Sequence, residues 1–141
     1  MKTYVLMIAK QFPVTHKRKG EETDFRKKLF YNVKKHTIRA NYELWKYRID
    51  QINSGKAILS VRQWEGKPYR SKQIELFNQS KVGIQKLDWT ALGWFIDDMD
   101  SDLNTKTLAK NDGLSPQDFA DWFKKYPKET MAIIQLSKLR Y

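Results

Sequence analysis

The chain contains no cysteine. Disulfides, thiolate zinc sites and cysteine nucleophiles are excluded together. Histidine is nearly as scarce. His16 and His36 are the only two and lie far apart in sequence, so a transition-metal site is not expected, although carboxylates can still hold magnesium. No cofactor is called for. No apolar run approaches the length that spans a bilayer, so no membrane partner is expected. The opening "MKTYVLMIAKQFP" has a short apolar stretch with no small-residue cleavage site behind it. It reads as a first strand, not a signal peptide, and a cytoplasmic location fits. Internal repeats and low-complexity tracts are also missing.

Acidic residues are scarce in one part of the chain. Residues 1–86 carry 20 Lys+Arg against 7 Asp+Glu, a net of +13, and residues 87–141 carry 7 against 9, a net of −2, which together make the overall +11. A basic excess concentrated in this way is the electrostatic footprint of a nucleic-acid or phosphate partner. The bland alternative is a solvated surface that keeps the chain soluble. Apolar residues at 40% and aromatics at 13% of 141 residues suit one globular domain with a real core, spanning residues 1–141.

Patterning places the elements. "THKRKGEETDF" (Thr15–Phe25) is polar and reads as a mobile loop, with no role for His16. Asp24 is positioned to cap a short helix whose Phe25, Leu29 and Phe30 share one face. "HTIRA" suits a strand: Thr37 and Arg39 point one way and Ile38 the other. His36 alternates with Thr37 and is expected to face elsewhere. "NYELWKYRIDQIN" (Asn41–Asn53) reads as a helix with Gly55 just past its end. "KAILSVRQW" (Lys56–Trp64) alternates as a strand, with Ala57, Leu59 and Val61 inward and Ser60, Arg62 and Trp64 on the other face. "KQIELF" returns with Ile74 and Leu76 inward, and "KVGIQKL" and "GWFIDDM" are two more strands. "NTKTLAKNDG" is a helix closed at Gly113. Ser115, Pro116 and Asp118 then make an N-cap, a first-turn proline and a capping box. That helix is expected to stop at Tyr126–Pro127, before a final strand in "TMAIIQLSKL". Trp89, Trp94, Phe119, Trp122 and Phe123 are assigned to packing. The class is α+β, and the order of strands suggests a small mixed β-barrel with short helices packed around it.

Several residues have chemistry to offer. Lys34 is either a surface lysine or, if its pKa is depressed by burial and neighbouring cations, a base or nucleophile. Thr37 is either a strand-favouring residue or a hydroxyl able to hold a carbonyl oxygen or a water. Arg39 is a solvated charge or a clamp on a phosphate or base edge. Asp112 stands at an expected helix C-terminus, where the macrodipole disfavours negative charge. It either shapes the turn with Gly113 or answers a cation, Lys34 or Arg39, across a cleft. Arg62, Trp64, Tyr69, Arg70 and Lys72 surround one hairpin, where alternating aromatics and cations can stack bases and hold phosphates. The alternative there is that the rings simply cover the fold.

Lys34, Thr37, Ile38 and Arg39 spell K-x-x-T-I-R, and "LAKNDGLSPQDFADWF" (Leu108–Phe123) follows much later. In this order, flanked by strands, the two segments resemble the ASCH family of the PUA-like superfamily, and the likeness runs from Tyr4 to Leu136. The resemblance implies a PUA-like barrel with a ligand cleft and, for many members, RNA binding. It also implies a second activity seen in small bacterial members, amidohydrolysis of an acetylated cytidine nucleoside. The lysine and threonine of K-x-x-T act there with an acidic residue of the later helix. Carried across by motif, these are Lys34, Thr37 and Asp112. The enzymes have glutamate where this chain has the shorter aspartate. Two function classes thus stand: an RNA or nucleotide module using Arg39, Arg62, Trp64, Tyr69, Arg70 and Lys72, and an amidohydrolase. A third is an adaptor whose basic face meets an acidic protein. The enzyme requires Lys34, Thr37 and Asp112 to meet in one pocket.

Overall fold

The structure, a computed structural model, describes residues 1–124 and 127–141. It is an α+β fold: the described residues form eight strands in two sheets, with four helices. Strand β1 (Lys2–Met7) lies parallel to β3 (Ala57–Trp64), and β4 (Gln73–Gln79) returns antiparallel to β3. The second sheet runs β2 (His36–Arg39), β8 (Met131–Gln135), β5 (Gly83–Thr90), β6 (Gly93–Ile96) and β7 (Met99–Asp100), antiparallel throughout. Among the described residues no ladder joins the two sheets or closes either into a barrel.

The alternation in β3 holds as read. Ala57, Leu59 and Val61 are buried, and they meet Leu6 and Ile8 from β1 and its continuation in one core cluster. That cluster continues through Ile133 and Ile134 of β8. Helix α2 (Tyr42–Asn53) packs against β3, β5 and β8, so it bridges the sheets. Its buried Trp45, Ile49 and Ile52 recur at helical spacing, and each buried aliphatic contributes about 1.5–3 kcal/mol. Asn41 caps it through Leu44 N–H, and Gly55 closes it at φ 83°. The Asn53 amide locks its far end to Val82, donating to the carbonyl and accepting from the N–H, both at 2.8 Å.

Some expectations fail locally. Asp24 makes no side-chain cap to α1 (Phe25–Phe30); it sits at φ 59° and only directs the chain into the helix. Phe30 is 81% exposed, and its ring packs edge-on against Tyr31 rather than on the core. Ile74 and Leu76 are half-buried and line a groove, and Leu76 also packs against the core cluster. Trp89 is exposed, whereas Trp94, its edge-to-face neighbour at 4.6 Å, is buried.

The loop expected to be mobile is pinned. His16 is buried; its Nε2 donates to the Asp118 carbonyl and its Nδ1 accepts from Arg18 N–H, both at 3.0 Å. The Arg18 guanidinium reaches Asp118 at 2.6 Å, which removes that carboxylate from the capping box. Ser115 alone caps α4 (Pro116–Trp122), accepting from Asp118 N–H. Helix α4 ends at Trp122, and Tyr126 of the expected Tyr126–Pro127 stop lies outside the described residues. No helix among the described residues is long and apolar enough to cross a membrane.

Candidate functional site

The segment leaving α1 is stitched to the end of α3 (Thr105–Asn111). Val33 and Lys34 N–H both bond the Lys28 carbonyl, at 2.7 and 3.0 Å, and Lys35 N–H bonds the Asn111 carbonyl at 2.7 Å. This brings Lys34 against Asp112, the C-cap of α3, across 78 positions of sequence. Lys34 Nζ donates to the Asp112 carbonyl at 2.7 Å and to carboxylate Oδ1 at 3.2 Å. Lys28 Nζ donates to the Gly113 carbonyl at 2.8 Å. Two ammonium groups thus satisfy carbonyls at a helix C-terminus, where cations are favoured. Lys34 is the cation that the position of Asp112 called for.

This pair is deeply buried: Lys34 is 3% and Asp112 5% exposed. Burial pushes the Lys34 ammonium down from its ordinary value; Asp112 opposes this, and Arg39 and Lys28 add to it. For Asp112, burial pushes the carboxyl up, but Lys34 and the His36 hydrogen bond outweigh it and hold the group below its ordinary value. Lys34 Nζ also sits 4.2 Å from the centroid of the Phe25 ring, a cation–π contact.

Lys34, Thr37, Arg39 and Asp112 line one small cavity of about 70 Å³, walled by Phe25 and Trp122 among others. Thr37 is 6% exposed, and its hydroxyl makes no hydrogen bond among the described residues. Arg39 donates through Nη2 to the Met7 carbonyl, while its buried Nε has no partner among the described residues. Burial pushes the guanidinium down from its ordinary value, with Asp112 opposing. The cavity therefore holds a lysine ammonium, a free hydroxyl and an unpaired guanidinium N–H against one carboxylate. Such a set can hold and polarise a small carbonyl or oxyanion. The shorter side chain of Asp112 does not keep it from Lys34.

His36 does not line the cavity, in keeping with its alternation with Thr37, yet it still reaches Asp112. It is fully buried, with Nδ1 3.3 Å from Asp112 Oδ1 and Nε2 2.6 Å from Tyr141 Oη. Asn111 Nδ2 donates to Tyr141 Oη at 3.1 Å. The His36 tautomer that carries its proton on Nδ1 donates to Asp112 and accepts the phenol proton at Nε2. Burial raises the Tyr141 phenol to about 12, so it keeps that proton. Strand alternation missed His36 because Asp112 approaches from the end of a helix, not across a sheet face. Nothing local to Tyr141 signalled its part.

The hairpin set stands apart from Arg39. Arg62 is held along its sheet, Nε donating to Ser60 and Nη1 to Gln73 Oε1, both at 2.9 Å. Trp64 and Tyr69 have ring centroids 5.2 Å apart, with Tyr69 90% exposed. Arg70 and Lys72 are exposed on the same turn. Glu65 N–H to Lys72 O and Gly66 N–H to Ser71 Oγ fix that turn at 2.8 and 2.9 Å. Beside it a groove of about 780 Å³ runs between α1 and the β3–β4 hairpin, with Trp64, Phe25 and Phe77 among its walls. Phe25 separates groove from cavity, since it lines both. Among the described residues no group of three or more His, Asp and Glu side chains could hold a metal ion.

No protein-family model matches this chain, and neither a curated protein nor a solved structure matches it.

Proposed function

We propose that the chain is an RNA- or nucleotide-binding module of PUA-like, ASCH-type descent, with its ligand held at the groove beside the β3–β4 hairpin. One observation carries this reading: half-buried Trp64, a wall of the groove, packs on exposed Tyr69, and the exposed cations Arg70 and Lys72 belong to the same turn. Single-stranded RNA is bound by this combination, rings for bases and cations for phosphates. The net +11 supplies long-range attraction. Arg62 takes part as the positioned charge behind the rings, and Arg39 serves the inner cavity.

The test is the affinity for a short single-stranded RNA across a series of salt concentrations. Three phosphate contacts give a slope of log K against log salt of about −2 for a single strand, and Arg70→Ala with Lys72→Ala flattens it by about 1.4. An unchanged slope in the double variant, or equal affinity for duplex DNA, overturns the reading.

A second reading is favoured by a different observation, the convergence of Lys34, Thr37 and Asp112 on one cavity. A cavity of about 70 Å³ has room for a small group such as an acetyl. In an amidohydrolase, a cytidine in the groove would pass its acyl group beyond Phe25. Thr37 would position the acyl oxygen, Lys34 would attack or activate water, and Asp112 would shuttle the proton. Hydrolysis of an acetylated cytidine nucleoside is expected to fall by about 100-fold or more in Lys34→Ala. Equal turnover in native chain and variant removes this reading.

A further inference from the structure

The groove contains a side chain that neither reading uses. Gln63 lies on β3 in step with Ala57, Leu59 and Val61, on the face that builds the core. It is 7% exposed, it lines the groove, and its amide makes no hydrogen bond among the described residues. Neither amide atom is among the buried unpaired ones, so both open onto the groove and offer two donors and an acceptor oxygen to what enters it. The hairpin is irregular beside it. The β3–β4 register shifts between Val61 and Arg62, so Val61 faces Phe77, Arg62 faces Glu75, and Leu76 has no partner. Bulges of this kind re-aim side chains and increase local twist.

We propose that this groove seats one planar nucleobase, whose hydrogen-bonding edge is read by the Gln63 amide while its faces lie against the aromatic walls. The proposal rests on the nucleotide-binding reading and adds to it the residue that selects the base. A side-chain amide matches the paired donor and acceptor on the edge of a base. An aliphatic chain filling the same space would leave the amide unmatched. Charge points the same way. The rim carries Lys10, Arg26 and Lys27 against Glu22, Asp24 and Glu65, so its formal charges cancel. An uncharged ring suits the interior, and the phosphate stays at the hairpin with Arg70 and Lys72.

The experiment follows side-chain amide and indole NMR signals of the full chain while each of the four free nucleosides is added. Affinities for the four single-stranded homopolymers are measured in parallel. One nucleoside is expected to shift the Gln63 amide and Trp64 indole signals saturably. In the native chain its homopolymer binds about tenfold more tightly than the weakest. Gln63→Leu keeps the groove filled and apolar, and is expected to erase that preference while leaving the salt slope intact. Ile74→Trp, opposite Gln63 in the register, narrows the groove and is expected to abolish the nucleoside shifts.

Base preference that survives Gln63→Leu overturns the proposal while leaving the binding module standing. Nucleosides that shift no groove signal overturn it too, as does a groove that responds only to an aliphatic additive. Groove shifts by a nucleoside in a chain that binds no oligonucleotide would support the base seat and remove the polymer reading.

Discussion

Asp112→Asn is expected to lower the stability of the fold by about 3 kcal/mol, the lower end for breaking a buried ion pair. The lower end applies because Lys34 Nζ keeps its 2.7 Å bond to the backbone carbonyl of residue 112. Lys34→Met is expected to cost a similar amount, since the Asp112 carboxylate then stays buried with His36 as its remaining close partner. Replacing both, Lys34→Met with Asp112→Leu, is expected to recover most of the loss, because two apolar groups need no counterion. Urea unfolding of these variants, with Asp112→Leu alone to close the cycle, measures this. Strictly additive losses would show that the two groups do not act as a pair.

The pH dependence of the pair has two signs. The Asp112 carboxyl is held below its ordinary 3.8. The unfolded chain therefore takes its proton first, and the stabilisation is complete above that value and lost as pH falls through the folded one. Lys34 is also held below its ordinary 10.5, so the unfolded chain keeps that proton longer. Its burial weighs on the fold at neutral pH, and the penalty lifts as pH rises from the folded value towards 10.5. In the native chain, stability relative to Lys34→Met is expected to improve on the alkaline side. Relative to Asp112→Asn it is expected to decline below about pH 4.

Gly113→Ala is expected to cost about 2 kcal/mol or more, of which about 1–2 comes from the left-handed backbone. Gly113 sits at φ 81°, and a Cβ there would lie 3.0 Å from Lys34 Cβ and 3.3 Å from its Cγ. The stem of Lys34 has little room to yield, because its backbone is bonded to Lys28 and its ammonium to Asp112. Gly55 provides the control. It has φ 83° and nothing within 4 Å of a built Cβ, so Gly55→Ala carries the backbone cost alone. The difference between the two variants in urea midpoint isolates the contact with Lys34. Equal losses would mean that the glycine serves only the turn.

What the sequence made legible was local. The strand face of Ala57, Leu59 and Val61, the Asn41–Asn53 helix and the Gly113 turn each follow from side-chain period or from one backbone requirement, and all appear in the fold. Lys34, Thr37 and Asp112 could be grouped because a motif resemblance spanned the distance between them; no periodicity links positions 78 apart. His36 and Gln63 were overlooked for opposite reasons. His36 was placed by alternation alone, which says nothing about a helix end arriving from outside the sheet. Gln63 did carry a signal, a polar residue in step with three buried apolar ones, whose meaning needed the groove. The loop from Thr15 looked free because its composition is polar, yet its anchors Asp118 and Asp121 lie about a hundred residues on. Arg39, read as a solvated charge or a clamp on a phosphate or base edge, bonds the Met7 carbonyl.

Strand β8 has a consequence for how the molecule is made. It lies between β2 and β5, and Gln135 pairs with both His36 and Gly83. During synthesis, β2 and β5 emerge long before the strand that joins them. The three-stranded sheet can zip once β4 is out, while the Lys34 segment waits with its edge open. A ribosome stalled before Met131 would therefore display a chain with one finished sheet and one unmatched pair of edges, a ready substrate for chaperones.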